Sequence, residues 1–193
     1  MYKRAQTKKT TEARNGGPPP LGQTLGTFVG LITTFAIAFV ILTLGGIMPE
    51  DLISSTIVDD FLALPDLENR LVVVGTVLYP GPVGIGVVGL GAIIGTGAQG
   101  ATVLMALAWG TGGLIAGLLT RDILGGILAA LFAVVLGAFL TWMLVFVIQT
   151  PDFTQLFSGP SLVLLESILY GSLYPSIAAV IGGILGGGIT RER

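Results

Sequence analysis

The stretch LVVVGTVLYPGPVGIGVVGLGAIIGTGAQGATVLMALAWGTGGLIAGLLT, residues 71–120, carries no charge over 50 residues and decides how the chain is arranged. Only 10% of all residues are charged, whereas soluble proteins average about 25%. A helix needs about 20 apolar residues to cross the hydrocarbon core of a bilayer. The stretch is therefore long enough to cross a membrane once or twice.

Three further runs have the length and apolar character of membrane spans. They are predicted at about 25–48, 123–148 and 165–189, and only the last contains a charged residue, Glu166. The first run exceeds the apolar core of a secretory signal, which has about 7–15 residues. We expect an all-α integral membrane protein in which residues 25–193 form a single membrane domain.

The distribution of Lys and Arg favours a single crossing by the uncharged stretch. With one crossing, the five bases of the amino-terminal tail and the three arginines after residue 120 share a side, and Arg70 alone lies opposite. With two crossings the count becomes five against four. Because Lys and Arg concentrate in cytoplasmic loops, one crossing is preferred. The sequence predicts a four-span helical bundle of two hairpins in a cell (or virion) membrane, with both termini inside and the second span at about 98–119.

Proline and glycine interrupt the uncharged stretch before that second span. Proline lacks a backbone amide and disfavours helical angles in the preceding residue. Irregular backbone is not tolerated against lipid, so it must be covered by protein or line a wet cavity. We expect a broken or re-entrant segment, interfacial or within the bilayer, in the outer region 49–97. Its candidate cavity-lining residues are Tyr79, Pro80, Gly81, Pro82, Gly84 and Gly86.

An acidic segment, residues 49–70, opens this outer region with six acids and one base. Pro49 followed by two acids is a helix start signal. Apolar residues then recur at helical spacing, which predicts a short amphipathic helix on the outer membrane surface. These residues are Ile53, Ile57, Phe61 and Leu64.

The tail at residues 1–24 is basic, shows no apolar period and contains the proline spacer NGGPPP. This composition is typical of a disordered cytoplasmic segment. Its basic residues serve as an orientation signal and also contact anionic lipid headgroups. A binding site for a protein or nucleic acid is the alternative, although no nucleic-acid partner is expected.

Glycines spaced by four residues form flat strips along the predicted spans. Such strips let helix backbones approach closely in lipid, where no hydrophobic force drives helices together. They pack either within the chain or against another copy. The candidate packing residues are Gly113, Gly117, Gly182, Gly183, Gly186 and Gly187. Two of the strips lie in similar segments, GGLIAGLLTRD at 112–122 and GGILGGGITRE at 182–192, which suggests two parallel hairpins.

Glu166 is a candidate ion, proton or polar site because it is the only ionisable residue in a predicted span. Intramembrane carboxylates often mark a transport path. Glu166 also lies near the outer end of its run, where its carboxylate could reach headgroups or water. Further along the same run, Pro175 is expected to kink the last span because it removes a backbone hydrogen bond.

Little in the sequence supports catalysis. The absence of cysteine and histidine excludes thiolate and imidazole metal ligands and any triad with a histidine base. The letters GIGVVG at 84–89 match a dinucleotide fingerprint but lack its strand and acidic residue. We therefore predict no catalytic residue, metal or cofactor.

The preferred function is a non-catalytic structural or accessory subunit. It would pack through its glycine-rich helix faces into a homo-oligomer or a larger membrane complex. The alternative is a small channel or transporter for ions or small solutes that uses the broken segment 79–86 and Glu166.

Overall fold

The computed structural model describes residues 20–47, 53–80, 103–149 and 159–191. These residues form seven α-helices and no β-strand. The helices are α1 (Pro20–Thr43), α2 (Ser55–Ala63), α3 (Leu67–Leu78), α4 (Val103–Thr120), α5 (Ile123–Gln149), α6 (Gly159–Gly171) and α7 (Leu173–Thr190). Four of them, α1, α4, α5 and α7, are long and apolar enough to cross a membrane. Within these described ranges the predicted all-α fold is confirmed, and four helices have the length and apolar character of membrane spans.

The centre of the bundle is a parallel pair of helices, α4 and α7. Gly113 of α4 lies against Ala179 of α7, and four residues later Gly117 lies against Gly183. Because the contact advances in the same direction on both helices, the two run parallel. The described parts of the two similar segments, 112–122 and 182–191, therefore lie side by side.

Each central helix has an antiparallel neighbour. Gly26 and Gly30 of α1 face Ala116 and Gly112 of α4, so the contacts run in opposite directions along the two helices. In the same way, α5 is antiparallel to α7, with Gly126 lying against the backbone of Gly183. The spanning helices thus form two hairpin-like pairs, α1 with α4 and α5 with α7.

A tight turn joins α4 to α5. Arg121 adopts a left-handed φ of 55°, the conformation that commonly follows the end of a helix. The carboxylate of Asp122 accepts a hydrogen bond of 2.8 Å from the amide of Gly125 and so caps the first turn of α5. The end of the bundle at this turn is called the Arg121 end, and the opposite end, where α1 stops, is called the Thr43 end.

Two short helices, α2 and α3, lie at the Thr43 end. Helix α2 buries Val58 and Phe61, and the ring of Phe61 packs edge-on against Phe39 of α1 at 5.7 Å between centroids. A short helix with a buried apolar face thus lies within the segment predicted to form one, and it includes Ile57 and Phe61 but not Ile53 or Leu64. The predicted first residue, Pro49, lies outside the described residues. Helix α3 follows after three residues and enters the bundle beside α5.

The boundaries differ from the sequence predictions at two places. Helix α1 begins at Pro20, within the predicted tail of residues 1–24, because proline is well tolerated at the first helical position. The predicted last span at 165–189 is instead two helices, α6 and α7, separated at Ser172. Pro175 lies in the first turn of α7, where its missing amide costs no helical hydrogen bond, and the interruption is upstream of it.

Candidate functional site at the broken helices

Helix α3 stops beside the middle of α5. The hydroxyl of Tyr79, which follows α3 directly, donates a hydrogen bond of 2.7 Å to the carbonyl oxygen of Val134. The indole Nε1 of Trp109 on α4 donates to the carbonyl oxygen of Leu78 at 3.2 Å. The Tyr79 and Trp109 rings also pack edge-on at 5.5 Å. The end of α3 is therefore held by both α4 and α5.

The interruption between α6 and α7 lies against the end of α3. A Cβ atom built on Gly171, the last residue of α6, would lie 2.7 Å from the carbonyl oxygen of Pro80. It would also lie 3.1 Å from the carbonyl oxygen of Tyr79. Two helices thus end against each other inside the bundle, and only glycine at position 171 leaves room for this contact.

Small residues on α5 leave room for α3 to pack closely against it. A side chain at Gly137 would overlap the Tyr79 hydroxyl. One turn further along α5, Thr141 packs against Gly75 of α3, where an added Cβ would lie 2.7 Å from the threonine methyl group. The Thr141 hydroxyl is fully buried and has no hydrogen-bond partner among the described residues. Close packing is thus favoured here even at the cost of an unsatisfied hydroxyl.

Of the predicted broken segment, the structure describes Tyr79 and Pro80. Both are buried. Gly81, Pro82, Gly84 and Gly86 lie outside the described residues. Tyr79 lies beside the middle of α5, a candidate spanning helix, so the end of α3 lies inside the bundle.

All six predicted packing glycines make their contacts within the same chain. Cβ atoms on Gly113 and Gly117 would meet backbone of α7, and those on Gly182 and Gly186 would meet backbone of α4. On the other side of α7, Gly183 and Gly187 contact backbone atoms at Gly126 and Asp122, with built Cβ distances of 2.7 and 2.6 Å. We call this set of six residues the glycine seam. Since every one of them contacts a neighbouring helix of the same chain, the seam is not free to bind another copy.

Glu166 lies apart from the broken helices. Its side chain is exposed on the side of α6 that faces away from α5. It lines a shallow hollow of about 420 Å³ together with Leu162, Leu165, Leu169 and Tyr170. The structure therefore does not bring Glu166 together with Tyr79 and Pro80 in one site.

Sequence reasoning missed Trp109, Val134 and Thr141 as partners of the broken helix. A signal for Trp109 was available, because a tryptophan buried in an apolar span must find an acceptor for its N–H group. No sequence pattern pointed to the carbonyl of Val134, because any backbone carbonyl can accept a hydrogen bond and only the packing determines which one does.

The described residues contain no cluster of three or more acidic side chains that could hold a metal ion. Their buried polar groups serve helix packing instead: threonines donate to carbonyls one turn back, as Thr34 does to Gly30 at 2.9 Å. No known protein family, curated protein or solved structure matches this chain. The class that the fold defines is an all-helical protein with four potential membrane spans.

Proposed function

We propose that the protein is a non-catalytic subunit that associates with a second copy or another membrane protein through the outer face of α6. The observation that carries this proposal is the exposed carboxylate of Glu166 within an apolar surface. Around it, Leu162, Leu169 and Tyr170 are each at least 40% exposed. Such a face is unsuited to lipid alone, because it combines apolar residues with a charge.

The level of Glu166 within the bundle supports this argument. Near the start of α6, the Trp142 indole donates to the carbonyl oxygen of Ser161 at 3.0 Å. At its other end, Gly171 contacts Pro80 beside the middle of α5. Glu166 therefore lies between these levels, alongside a spanning helix. An acidic residue near the centre of a membrane helix costs about 2.5–3.5 kcal/mol, which hydrogen-bond donors of a partner would offset.

The use of the glycine seam within the chain changes where a partner would bind. The six glycines of the seam contact helices of the same chain, so the outer face of α6 is the better candidate surface. The lack of histidine and cysteine supports a non-catalytic role. We further propose that the Arg121 end faces the cytoplasm, since Arg121 and Arg191 lie there and α1, which follows the basic tail in sequence, begins at that end. Anionic headgroups on that side would attract the tail.

The test is native mass spectrometry of the full chain in lipid particles, taken directly from its source membrane. We expect a defined homo-oligomer or a complex with another protein, and we expect Glu166→Leu to release the monomer. The matched control is Glu68→Leu, which removes an exposed carboxylate from the first turn of α3. A wild-type monomer, or a complex that Glu166→Leu leaves intact, would refute this function.

A second candidate function is a small channel or transporter, and one observation favours it. The ends of α3 and α6 meet beside the middle of α5, and discontinuous helices at that depth are typical of transport sites. Ion flux into proteoliposomes would test it, with Gly171→Leu expected to reduce flux because it separates the two ends. Flux that matches empty liposomes for K⁺, Na⁺ and protons would exclude this candidate for those ions.

A further inference from the structure

A second hollow lies on the opposite flank of the bundle from α6. Helices α1, α3 and α5 form an apolar groove of about 510 Å³, within the size range of small-molecule sites. Its wall includes Phe35, Ala36 and Phe39 of α1, Leu67 and Leu71 of α3, and Leu140 of α5. We call it the α1/α3/α5 groove. Its lining offers almost no polar surface, so its occupant must be apolar over most of its length.

Arg70 lies on α3 between two residues of the groove wall. Its Nε donates a hydrogen bond of 2.9 Å to the carbonyl oxygen of Leu64, and one terminal guanidinium nitrogen lies 3.5 Å from the carbonyl oxygen of Leu62. Among the described residues no carboxylate pairs with this guanidinium. A guanidinium has five N–H donors, so several remain for a ligand.

Contacts with two aromatic rings link the guanidinium of Arg70 to the wall of the groove. The guanidinium carbon lies 5.6 Å from the centroid of the Phe61 ring. Phe61 in turn packs edge-on against Phe39, a residue of the groove wall. Phe61 thus contacts both the guanidinium of Arg70 and one residue of the groove wall. An apolar groove with a guanidinium nearby suits a molecule that has a long apolar part and an anionic group.

We infer that the α1/α3/α5 groove binds an acyl chain of a membrane glycerophospholipid whose phosphate is held by Arg70. Guanidinium groups bind phosphate through paired hydrogen bonds. Exposed carboxylates lie at the start of the same helix, at Asp66, which precedes its first residue, and at Glu68 in its first turn. They favour a headgroup that also carries an ammonium group, so a zwitterionic lipid is expected to bind better than an anionic one.

Charge complementarity selects lipid over the neighbouring part of the chain as the occupant. Residues 81–102 carry no acidic side chain, so this segment offers no charge that would pair with Arg70. A phospholipid supplies both the apolar chain and the phosphate. The inference is independent of the proposed subunit function, because the groove and the outer face of α6 are separate surfaces.

The experiment measures lipid binding to the delipidated full chain by native mass spectrometry, with palmitoyl-oleoyl phosphatidylethanolamine as the probe. Ala36→Phe should reduce binding at least about tenfold, because the added ring fills the groove. Arg70→Gln should weaken it by about tenfold, the effect of losing one hydrogen bond to a charged group. The matched control is Ala106→Phe on α4, an exposed alanine outside the groove wall, which should bind like the wild type.

A second readout locates the lipid without relying on the stability of these variants. The chain has no cysteine, so Ala36→Cys provides a single labelling site. A bimane label there should be quenched by phospholipids that carry a nitroxide on the acyl chain. Absence of quenching would show that protein covers the groove and would overturn the inference. Equal loss of binding in Ala36→Phe and Ala106→Phe would overturn the assignment of the groove as the binding site. Preference for phosphatidylglycerol over the zwitterionic lipid would overturn the assignment of the headgroup.

Discussion

The hydroxyl of Tyr79 and the carbonyl oxygen of Val134 are joined by a hydrogen bond of 2.7 Å across 55 residues of sequence. This bond attaches the end of α3 to the middle of α5. Because the phenol is buried and the hydroxyl occupies the space left by Gly137, tyrosine fits both sterically and as a donor. The end of α3 is thereby fixed at a defined level within the bundle.

Removing this hydroxyl should destabilise the fold by a modest amount. We expect Tyr79→Phe to lower the free energy of unfolding by about 1 kcal/mol, the usual net value of one buried hydrogen bond. The measurement is a denaturant titration of the full chain in detergent, followed by tryptophan fluorescence. Tyr170→Phe is the control, since Tyr170 is 65% exposed and should tolerate the change. Equal stability of Tyr79→Phe and the wild type would show that the bond contributes nothing.

The glycine seam should resist even the smallest side chain. A Cβ atom at Gly186 would overlap the backbone of Leu114, whereas one at Gly188, on the same helix, would meet nothing within 4 Å. Gly186→Ala is therefore expected to destabilise the protein by about 1–3 kcal/mol or more, because backbone cannot move aside. Gly188→Ala should leave stability unchanged or raise it by up to about 1 kcal/mol. Similar melting temperatures for the two variants would contradict the parallel contact between α4 and α7.

Two buried threonines should respond to valine in opposite ways. Thr34 donates to Gly30 within α1 and lies 3.3 Å from the carbonyl oxygen of Ala108 on α4. In the part of the chain that the structure describes, the Thr141 hydroxyl has no hydrogen-bond partner. Thr34→Val should cost about 1 kcal/mol of stability, while Thr141→Val should be neutral or stabilising because it removes an unsatisfied hydroxyl. A large loss of stability in Thr141→Val would reveal a polar partner for that hydroxyl.

The proposed orientation can be tested because the chain lacks cysteine. In intact cells, a membrane-impermeant maleimide should label Asp60→Cys at the Thr43 end. It should label Arg191→Cys at the Arg121 end only after the cells are permeabilised. Labelling of both variants in detergent controls for reactivity. The reverse pattern would invert the topology, and labelling of both in intact cells would rule out a sealed four-span arrangement.

The long uncharged runs predicted the spanning helices well because hydropathy directly measures compatibility with lipid. Helix α5 begins at the predicted Ile123, and α4 ends one residue after its predicted end. The break at Ser172 was missed because residues 165–189 are apolar on both sides of it, so composition alone did not separate α6 from α7. Pro175 was predicted to kink this span, but it lies in the first turn of α7, three residues after the break, where proline is well tolerated.

The candidate site was only partly predictable for a different reason. The sequence identified Tyr79 and Pro80 as an interruption through proline chemistry alone. It could not show that Gly171 meets Pro80, or that Glu166 points away from both, because these relationships depend on how α3 and α6 pack against α5. The direction of a side chain around a helix follows from its packing partners, which were unknown.

The parallel contact between α4 and α7 has a consequence for how the protein is made. These helices are separated in the chain by α5 and α6. In the proposed four-span arrangement, α4 would therefore enter the membrane before α7 has been synthesised. Until α7 arrived, Gly113 and Gly117 would face lipid, and α1 and α4 would hold together through their own contacts at Gly26 and Gly30. The glycine seam would then form late in biogenesis, and we expect substitutions within it to trap an inserted but unassembled chain instead of preventing insertion.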